Sequence, residues 1–247
     1  MAKHSVLNNV THKDTKVLTH CSAQFGHAIG AIQVLPNEFT RAQCEYPILF
    51  LRDQNTQEFN AFAIVGLHNE ENLFLDEKAG WRAGYIPNIV KKGPFSIGFQ
   101  NQTSADEEDK KAVILIDEED PRVNTQHGQP VFLEMGGNSA YLESMQNTLA
   151  QLDEGAKLSA PMFAAFKDLD LLEACVLDVK IDEENAVKFE GYHTINLERL
   201  GQLAGNELEA LNKAGLLSLA FAAANSLFNI EKLVKLKRQK LKADISA

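Results

Sequence analysis

The sequence predicts an α+β fold, with a strand-rich N-terminal part made of antiparallel hairpins and a helix-rich C-terminal part that ends in a long helix. Short runs rich in β-branched and aromatic residues are frequent before Ser139, and polar turns separate them. Apolar residues at helical spacing are concentrated after Ser139. Because strands dominate first and helices last, this order favours α+β over an alternating parallel sheet.

Four strands and one helical segment are predicted between residues 31 and 100. The first two strands form a hairpin across a polar turn. The helical segment stops at a glycine-proline pair, which a helix cannot easily continue through. In chain order the strands cover residues 46–51, 59–66, 73–75 and 95–99, and the helical segment covers residues 80–90.

The middle of the chain predicts two strands and then two helices. Residues 112–116 form a continuous apolar run, which is typical of a fully buried strand, and residues 129–134 predict a further strand. A helix over residues 139–152 follows, with a serine as its N-cap. A second helix, over residues 161–172, has a proline at its first position, where the missing N–H costs nothing.

The C-terminal part predicts one more hairpin and three helices. The last helix carries an apolar stripe, at steps of three and four residues, that we expect to face the core. The stripe consists of Leu217, Phe221, Ala224 and Phe228. The hairpin covers residues 174–181 and 186–192, and the helices cover residues 197–203, 207–214 and 216–241.

The domain organisation follows from the distribution of these elements. Residues 1–30 are polar and weakly patterned, so we expect a loosely ordered N-terminal arm. No internal repeat or low-complexity linker divides the rest of the chain. We therefore expect a single α+β domain over residues 31–241 and a short C-terminal tail over residues 242–247.

The composition is that of an acidic globular protein, and it excludes several classes of function. The formal net charge is −10, so binding to nucleic acid through phosphate contacts is not expected. Three separated cysteines and histidines without ligand spacing predict no metal site and suit a reducing compartment. The sequence has neither a secretory signal core nor an apolar run long enough for a bilayer, so we expect a cytoplasmic protein without a membrane span.

The sequence contains no recognised catalytic or cofactor motif. The signatures GxGxxG, GxxxxGK[ST], GxSxG and HExxH are absent, so we predict no catalytic residue and no cofactor, and an enzyme is not favoured. Paired carboxylates occur at residues 106–109 and 117–120. In the second group, Asp117 and Asp120 follow a predicted strand. They serve either in ligand binding and acid–base chemistry or simply in a solvated turn.

The densest group of special residues lies between residues 73 and 98. Trp81, Arg82 and Tyr85 are followed by Lys91 and Lys92. On the predicted helix, Trp81 and Tyr85 are four residues apart and share a face. Aromatic rings beside cations suit an anionic, planar or peptide ligand. The alternative is that both rings pack in the core while the lysines face water.

The C-terminal end concentrates positive charge in an acidic protein. Six cations and no acidic residue lie between residues 232 and 242. One interpretation is a solvated helix end, where cations also complement the helix dipole. The other is a docking surface for an acidic protein partner or a membrane surface.

The stretch from Gly80 to Phe95, GWRAGYIPNIVKKGPF, resembles a signature of bacterial SapC-like proteins, G-W-x-x-x-Y-I-P followed by two basic residues and P-F. Three other stretches resemble the same family in the same order. They are residues 46–50, residues 117–123 followed by 128–132, and residues 191–196 together with 211–217 and 226–227. The resemblance extends over residues 30–236, so it covers most of the chain.

This resemblance implies a non-catalytic accessory or binding protein that handles a small molecule or peptide. The family is named after a surface-layer-associated protein, and its genes often lie beside those of flavin-dependent halogenase-like proteins, cupin-like proteins and TonB receptors. One alternative is an enzyme of small-molecule or peptide modification that uses Asp117, Asp120 and the region of Trp81. Another is a surface-layer or export component. The resemblance carries over no site residues.

Overall fold

The computed structural model describes residues 3–101, 110–182 and 185–245. The strands are β1 (His4–Val6), β2 (Lys16–Val17), β3 (Ala31–Gln33), β4 (Ile48–Arg52), β5 (Phe59–Ile64), β6 (Leu75–Asp76), β7 (Gly80–Trp81), β8 (Phe95–Asn101), β9 (Lys110–Asp117), β10 (Val123–Asn124), β11 (Gln129–Pro130), β12 (Leu172–Lys180) and β13 (Ala186–Ile195). The helices are α1 (Phe39–Ala42), α2 (Asn88–Lys91), α3 (Ala140–Asp168), α4 (Leu197–Gly201), α5 (Gly205–Lys213), α6 (Leu217–Ser226) and α7 (Ile230–Ile245). This confirms the predicted α+β fold.

The chain divides into two compact units. Unit 1 comprises Met1–Cys21 and Asn88–Asp153, and unit 2 comprises Ser22–Pro87 and Glu154–Ala247. A compact unit is not the same as an independently folding domain, so the single domain expected over residues 31–241 stays a prediction. Residues 3–30 contain β1, β2 and a 3-10 turn. The loosely ordered arm expected over residues 1–30 likewise stays a prediction.

Unit 1 is built on a three-stranded antiparallel sheet with the order β1-β9-β8. A second small sheet has the order β10-β2-β11. The first half of α3 buries Leu142, Met145 and Leu149 against a core that contains Phe95 and Ile116. The helical spacing of these three residues predicted this buried face. Only Ile116 of the apolar run 112–116 is fully buried, so the fully buried strand expected there is instead largely half-exposed.

Unit 2 is built on a five-stranded antiparallel sheet with the order β12-β13-β4-β5-β3. The predicted hairpins β4–β5 and β12–β13 are both present, and β13 joins them by pairing with β4. Phe163, from the second half of α3, packs edge-on against Phe50 of the central strand β4, with ring centroids 5.1 Å apart. The C-terminal helices also pack on this sheet, and Ser226 at the end of α6 accepts a hydrogen bond from the backbone N–H of Ile48 at 2.8 Å.

Four predicted helices differ from the structure. The helix expected over residues 80–90 is replaced by the short strand β7, a loop and the four-residue α2. The two helices expected over residues 139–152 and 161–172 are one continuous helix, α3, with Pro161 inside it. The final helical segment is long, as predicted, but a 3-10 turn at Leu227–Asn229 separates α6 from α7.

The apolar stripe of the final helical segment does not face the core as predicted. Phe221 is 45% exposed and Phe228 is 80% exposed, whereas Leu219 and Leu233 are buried. The 3-10 turn changes the helical phase, so the buried face of α7 is not the continuation of a regular stripe through α6. Taken singly, no helix in the described residues has the length and apolar character of a bilayer span. One pair of helical segments, bent by 92°, meets these criteria only when both members are counted together.

Candidate functional site

The best candidate site is a cavity of about 530 Å³ in unit 2, between its sheet and the second half of α3. We call it the α3 cavity. Its volume falls in the usual range of ligand pockets, about 300–1,000 Å³. Its apolar wall includes Phe59, Phe163 and Leu35, and its polar wall includes Arg52, Asn60 and His193. It therefore combines apolar contact area with a few polar groups, as ligand sites do.

Small residues on α3 create the space. Ala156, Ala160 and Ala164 line the cavity and follow one another at steps of four, so they lie on one face of the helix. Gly155 allows α3 to lie close to the segment that contains Leu35 and Asn37. A Cβ atom at this glycine would lie 2.7 Å from the Cβ of Leu35 and 2.3 Å from Oδ1 of Asn37. The glycine thus determines how closely α3 approaches this segment, and the small side chains of the alanines leave the space of the cavity open.

Three of the lining rings, those of Phe59, Phe163 and His193, contact one another, and we call them the aromatic floor of the cavity. Phe59 stacks on Phe163 with centroids 5.7 Å apart, and the His193 imidazole meets the Phe59 ring edge-on at 5.0 Å. The guanidinium of Arg52 lies 6.0 Å from the Phe59 centroid, in the range of a cation–π contact. Arg52 and Phe59 are directly opposite each other in the β4–β5 register, so the hairpin itself brings the cation and the ring together.

His193 is the most unusual residue of the floor. Its Nδ1 atom is buried and has no hydrogen-bond partner among the described residues, and the same holds for Oγ1 of the neighbouring Thr194. Burial, helped by the positive charge of Arg52, lowers the pKa of His193 below its ordinary value of 6.5. The imidazole is therefore neutral at pH 7. Unsatisfied buried polar atoms are rare in native proteins, which separates this wall from an ordinary packed core.

Charged residues of both signs surround the opening. Glu58, Lys167 and Asp170 line the cavity with exposed side chains. Asp170 adopts φ +54° just after α3, and its neighbour Leu171 donates a backbone hydrogen bond to Phe166 at 2.8 Å, which closes the helix and directs the chain into β12. A ligand with both an anionic and a cationic group, or a peptide, matches such a rim.

Of the predicted site residues, Trp81 and Tyr85 do come together, but in a loop and not on a helix face. The indole N–H of Trp81 donates to Oη of Tyr46 at 2.8 Å and to the backbone carbonyl of Tyr85 at 3.2 Å. Oη of Tyr85 donates to Glu38 at 2.6 Å, and burial raises the pKa of this phenol well above its ordinary value, with help from the Glu38 carboxylate. Tyr46 and Glu38 are buried. This network uses the polar atoms of both rings within unit 2.

Arg82 lies beside this network with an exposed side chain. Its guanidinium is 3.9 Å from the carboxylate of Asp76, and more than half of the side chain is in contact with solvent. Nothing in this arrangement joins Arg82 to the polar atoms of Trp81 or Tyr85.

The other predicted site residues belong to unit 1, where Lys92 and Asp120 form a half-buried polar cluster with Arg122. The guanidinium of Arg122 pairs with both carboxylate oxygens of Asp120, at 2.8 and 2.5 Å. Burial lowers the pKa of Lys92, and the charge of Arg122 lowers it further. Burial opposes ionisation of Asp120, but hydrogen bonds from Arg122 still hold the pKa of that carboxyl below its ordinary value. The charge of Asp120 balances that of Arg122, and Asp120 and Asp117 both act to raise the pKa of Lys92 against the effects of burial and Arg122.

Asp117 lies near this cluster, since its charge acts to raise the pKa of Lys92. Oδ1 of Asp117 accepts hydrogen bonds from the backbone N–H groups of Lys3 and Glu119, both at 3.1 Å, at the end of β9. The side chain of Lys91 is exposed on α2. The other carboxylate group, at residues 106–109, lies outside the described residues. Among the described residues, no group of three or more histidine, cysteine or acidic side chains has the arrangement of a metal site.

The basic C-terminal segment makes several ion pairs within unit 2. Lys237 donates to Glu71 at 2.8 Å, Lys240 is 3.4 Å from the same carboxylate, and Lys232 pairs with Glu45. These contacts anchor α7 and leave part of its positive charge for other contacts.

The sequence did not reveal the α3 cavity because its residues come from four separate segments. Arg52, Phe59 and His193 lie on three different strands, and none of them belongs to a local motif. The only local signal is the run of alanines at steps of four in a predicted helical region, and this pattern is equally common in ordinary packing.

Comparison with known proteins places the chain in a family but adds no relative of known structure. A family model described as SapC matches residues 7–233. The matched stretch includes every residue that lines the α3 cavity. No curated protein and no solved structure matches the chain.

Proposed function

The chain belongs to the SapC family, and from this premise we propose that it is a non-catalytic accessory protein that binds a small molecule or peptide in the α3 cavity. The observation that carries the proposal is the combination, in one cavity of ligand size, of an aromatic floor with a histidine whose buried Nδ1 atom has no hydrogen-bond partner among the described residues. Such a wall is costly for a packed core and useful for a ligand site, since a ligand supplies the missing contacts.

The chemistry of the wall defines the ligand class. Phe59 and Phe163 supply contact area for an apolar or planar group. Arg52 supplies a charge-assisted hydrogen bond to an anionic group at the edge of the same ring. The proposed ligand is therefore an aromatic or apolar compound with a carboxylate or similar anion. We place this ligand in a flavin-dependent halogenase-type system, as the sequence resemblance suggests.

The arrangement of polar groups supports binding more than catalysis. Within the described residues of the α3 cavity, no hydrogen bond joins the His193 imidazole to a hydroxyl or carboxylate. A catalytic histidine is usually oriented by such a partner and in turn activates a nucleophile.

An enzyme of small-molecule or peptide modification is the second candidate, and one observation favours it. His193, Glu58 and Asp170 place three titratable groups around one cavity, and a bound substrate would bring reacting atoms among them. In that case His193→Gln would abolish conversion of the bound compound without abolishing binding.

The test is native mass spectrometry of the protein purified from its own host. We expect a co-purifying compound with the wild-type protein and its loss in Ala160→Trp, because an indole at this position fills the cavity. Ala210→Trp, at an exposed alanine of α5 outside the cavity, is the matched control and retains the compound. A compound that stays bound to Ala160→Trp would place the binding site elsewhere.

A further inference from the structure

A second groove of unit 2 lies between the end of β12 and the helix α7. Its volume is about 710 Å³. β12 is at one edge of the five-stranded sheet and pairs only with β13 among the described strands. Alternate residues of an edge strand direct their backbone N–H and C=O groups away from the sheet, where they are available to another strand. The groove therefore lies beside a row of backbone donors and acceptors.

The hairpin end of β12 contacts α7. The guanidinium of Arg238 on α7 donates a hydrogen bond to the backbone carbonyl of Ile181, directly after β12. Ile230, near the start of α7, lines a small apolar space together with Val179 of β12. The helix therefore passes β12 from Val179 toward Ile181, and the groove follows the last residues of the strand.

The regular part of the edge is short and well defined. A register shift between Cys175 and Leu177 interrupts the pairing of β12 with β13, and the pairing is regular again from Leu177 to Lys180. Such a bulge protects the first part of the edge from pairing with other chains. The part from Leu177 to Lys180, next to α7, has no bulge.

The groove has an apolar floor and a predominantly cationic rim. Val179, Ile230 and Val234 provide the apolar part. Four cations and two acids provide the charged part, so positive charge exceeds negative charge in a protein whose net charge is −10. The cations are Lys180, Lys235, Arg238 and Lys242, and the acids are Asp178 and Glu231. Lys180 and Lys235 have no ion-pair partner within the described part of the chain.

The spacing of the cations matches an extended acidic peptide. Lys235, Arg238 and Lys242 are three and four residues apart on α7, which corresponds to about 4.5 and 6 Å along the helix axis. Side chains on one face of an extended strand repeat every second residue, about 6.6–6.8 Å apart. Acidic side chains on alternate residues of a strand beside β12 would therefore meet successive cations of α7.

We propose that this groove binds an extended acidic segment of a protein partner, which adds to the sheet as a further strand beside β12. The backbone of β12 provides the pairing, and the cations of α7 receive the carboxylates on the side of the segment that faces the helix. This interaction is independent of the ligand proposed for the α3 cavity, because no residue lines both.

The test measures fluorescence anisotropy with a labelled peptide of alternating glutamate and valine. A peptide with lysine in place of glutamate is the charge control, and a peptide N-methylated at alternate residues is the control for backbone pairing. We expect the acidic peptide to bind and neither control peptide to bind. Reversal of one groove charge, Lys235→Glu, weakens binding by about tenfold, the equivalent of 1.4 kcal/mol.

Lys213→Glu is the matched protein control. It reverses the charge of an exposed lysine on α5 that does not line the groove, and it leaves the affinity within about twofold if binding is local. Circular dichroism of both variants verifies that the helical content is unchanged.

Several results would overturn the proposal. Binding of the N-methylated peptide with equal affinity would exclude strand addition, and an equal effect of Lys213→Glu would indicate general attraction between charges. No binding of the acidic peptide at about millimolar concentration, the weak end of specific recognition, would exclude the site altogether. Self-association that Lys235→Glu abolishes would show that a second copy of the chain is the occupant instead.

Discussion

Glu71 shows how a single buried carboxylate fixes the last helix of the chain. The residue is 8% exposed, and its carboxylate accepts from Lys237 at 2.8 Å and from the backbone N–H of Leu67 at 3.4 Å. Burial opposes its ionisation, but the hydrogen bond and the charge of Lys237 outweigh burial and lower the pKa of Glu71 below its ordinary value. The carboxylate is therefore ionised at neutral pH and joins α7 to the loop after β5.

Replacement of Glu71 should be costly because its partner is also poorly exposed. Glu71→Gln leaves the Lys237 ammonium, whose side chain is 13% exposed, without its counter-ion. We expect a loss of about 1–3 kcal/mol in the free energy of unfolding, measured by urea denaturation at pH 7. The control is Glu209→Gln, which removes a solvent-exposed i,i+4 pair with Lys213 and costs below about 0.5 kcal/mol. Equal losses in the two variants would show that burial of the Glu71 pair adds nothing.

At single positions, the sequence identified special residues better than it identified their roles. The proximity of Trp81 and Tyr85 was predicted on a helix face, and the structure achieves it through hydrogen bonds within a loop. Lys92 and Asp120 meet, but Arg122 between them was not singled out. His193 had no signal at all, since its character depends on burial and on Arg52, which is distant in sequence.

At the scale of elements, α6 and α7 show the limits of helical periodicity. The sequence pattern predicts one buried stripe through residues 217–228, but two of its phenylalanines are exposed. Leu233, about one helical turn after the end of the 3-10 turn, is 1% exposed and lines a small apolar space together with Leu49 and Val179. The core contribution of this segment therefore comes from α7 as well as α6, and the positively charged helix is also a structural one.

Two substitutions in this segment should have very different effects on stability. Leu233→Ala removes a fully buried side chain and leaves a cavity, so we expect a loss of about 2–5 kcal/mol. Phe228→Ala removes a larger side chain that is 80% exposed, so we expect a change below about 0.5 kcal/mol. Urea unfolding of both variants distinguishes this structure from the regular stripe, which predicts the opposite order.

The two hairpins of unit 2 were predicted better than helix boundaries, and the reasons are physical. The hairpins β4–β5 and β12–β13 combine apolar strands with short polar turns, so local sequence determines them. Pro161 suggested a helix start, yet it lies inside α3. The buried side chains that follow it, Met162, Phe163 and Phe166, hold the helix together across the missing backbone hydrogen bond.

At the scale of the whole molecule, the acidic composition is accommodated by carboxyl groups whose pKa is lowered in the folded state. The cause is in each case hydrogen bonding or nearby cations, which outweigh burial where burial contributes. Hydrogen bonds from Lys3 and Ser5 lower the pKa of Glu118 to about 2. The pKa is also lowered at Asp53, Glu71, Asp76 and Asp120. These groups are distributed over both units.

These shifts predict that the protein loses stability in acid, in two stages. Because the pKa of His193 is lowered in the folded state, the unfolded chain binds a proton at a higher pH than the folded protein does. The free energy of unfolding therefore decreases as the pH falls from the ordinary value of 6.5 toward the lower folded value. The carboxyl groups contribute fully above their ordinary values, 3.8 for aspartate and 4.5 for glutamate, and lose this contribution as the pH falls through their lower folded values. We expect the melting temperature to be highest near neutral pH, to fall slightly below pH 6.5 and to fall steeply below pH 4.5.

Single substitutions identify which titratable groups cause each of the two stages. His193→Gln should remove the shallow decline below pH 6.5 and leave the steep one, because glutamine does not titrate. Glu118→Gln should lower the melting temperature at pH 7 and reduce the steep decline, since the ion pair with Lys3 at 2.5 Å can no longer be lost by protonation. A melting temperature that rises toward pH 4 in the wild-type protein would mean that relief of repulsion among its acidic groups outweighs these bonds. In that case the net charge of −10, and not the paired carboxylates, would determine how the protein responds to acid.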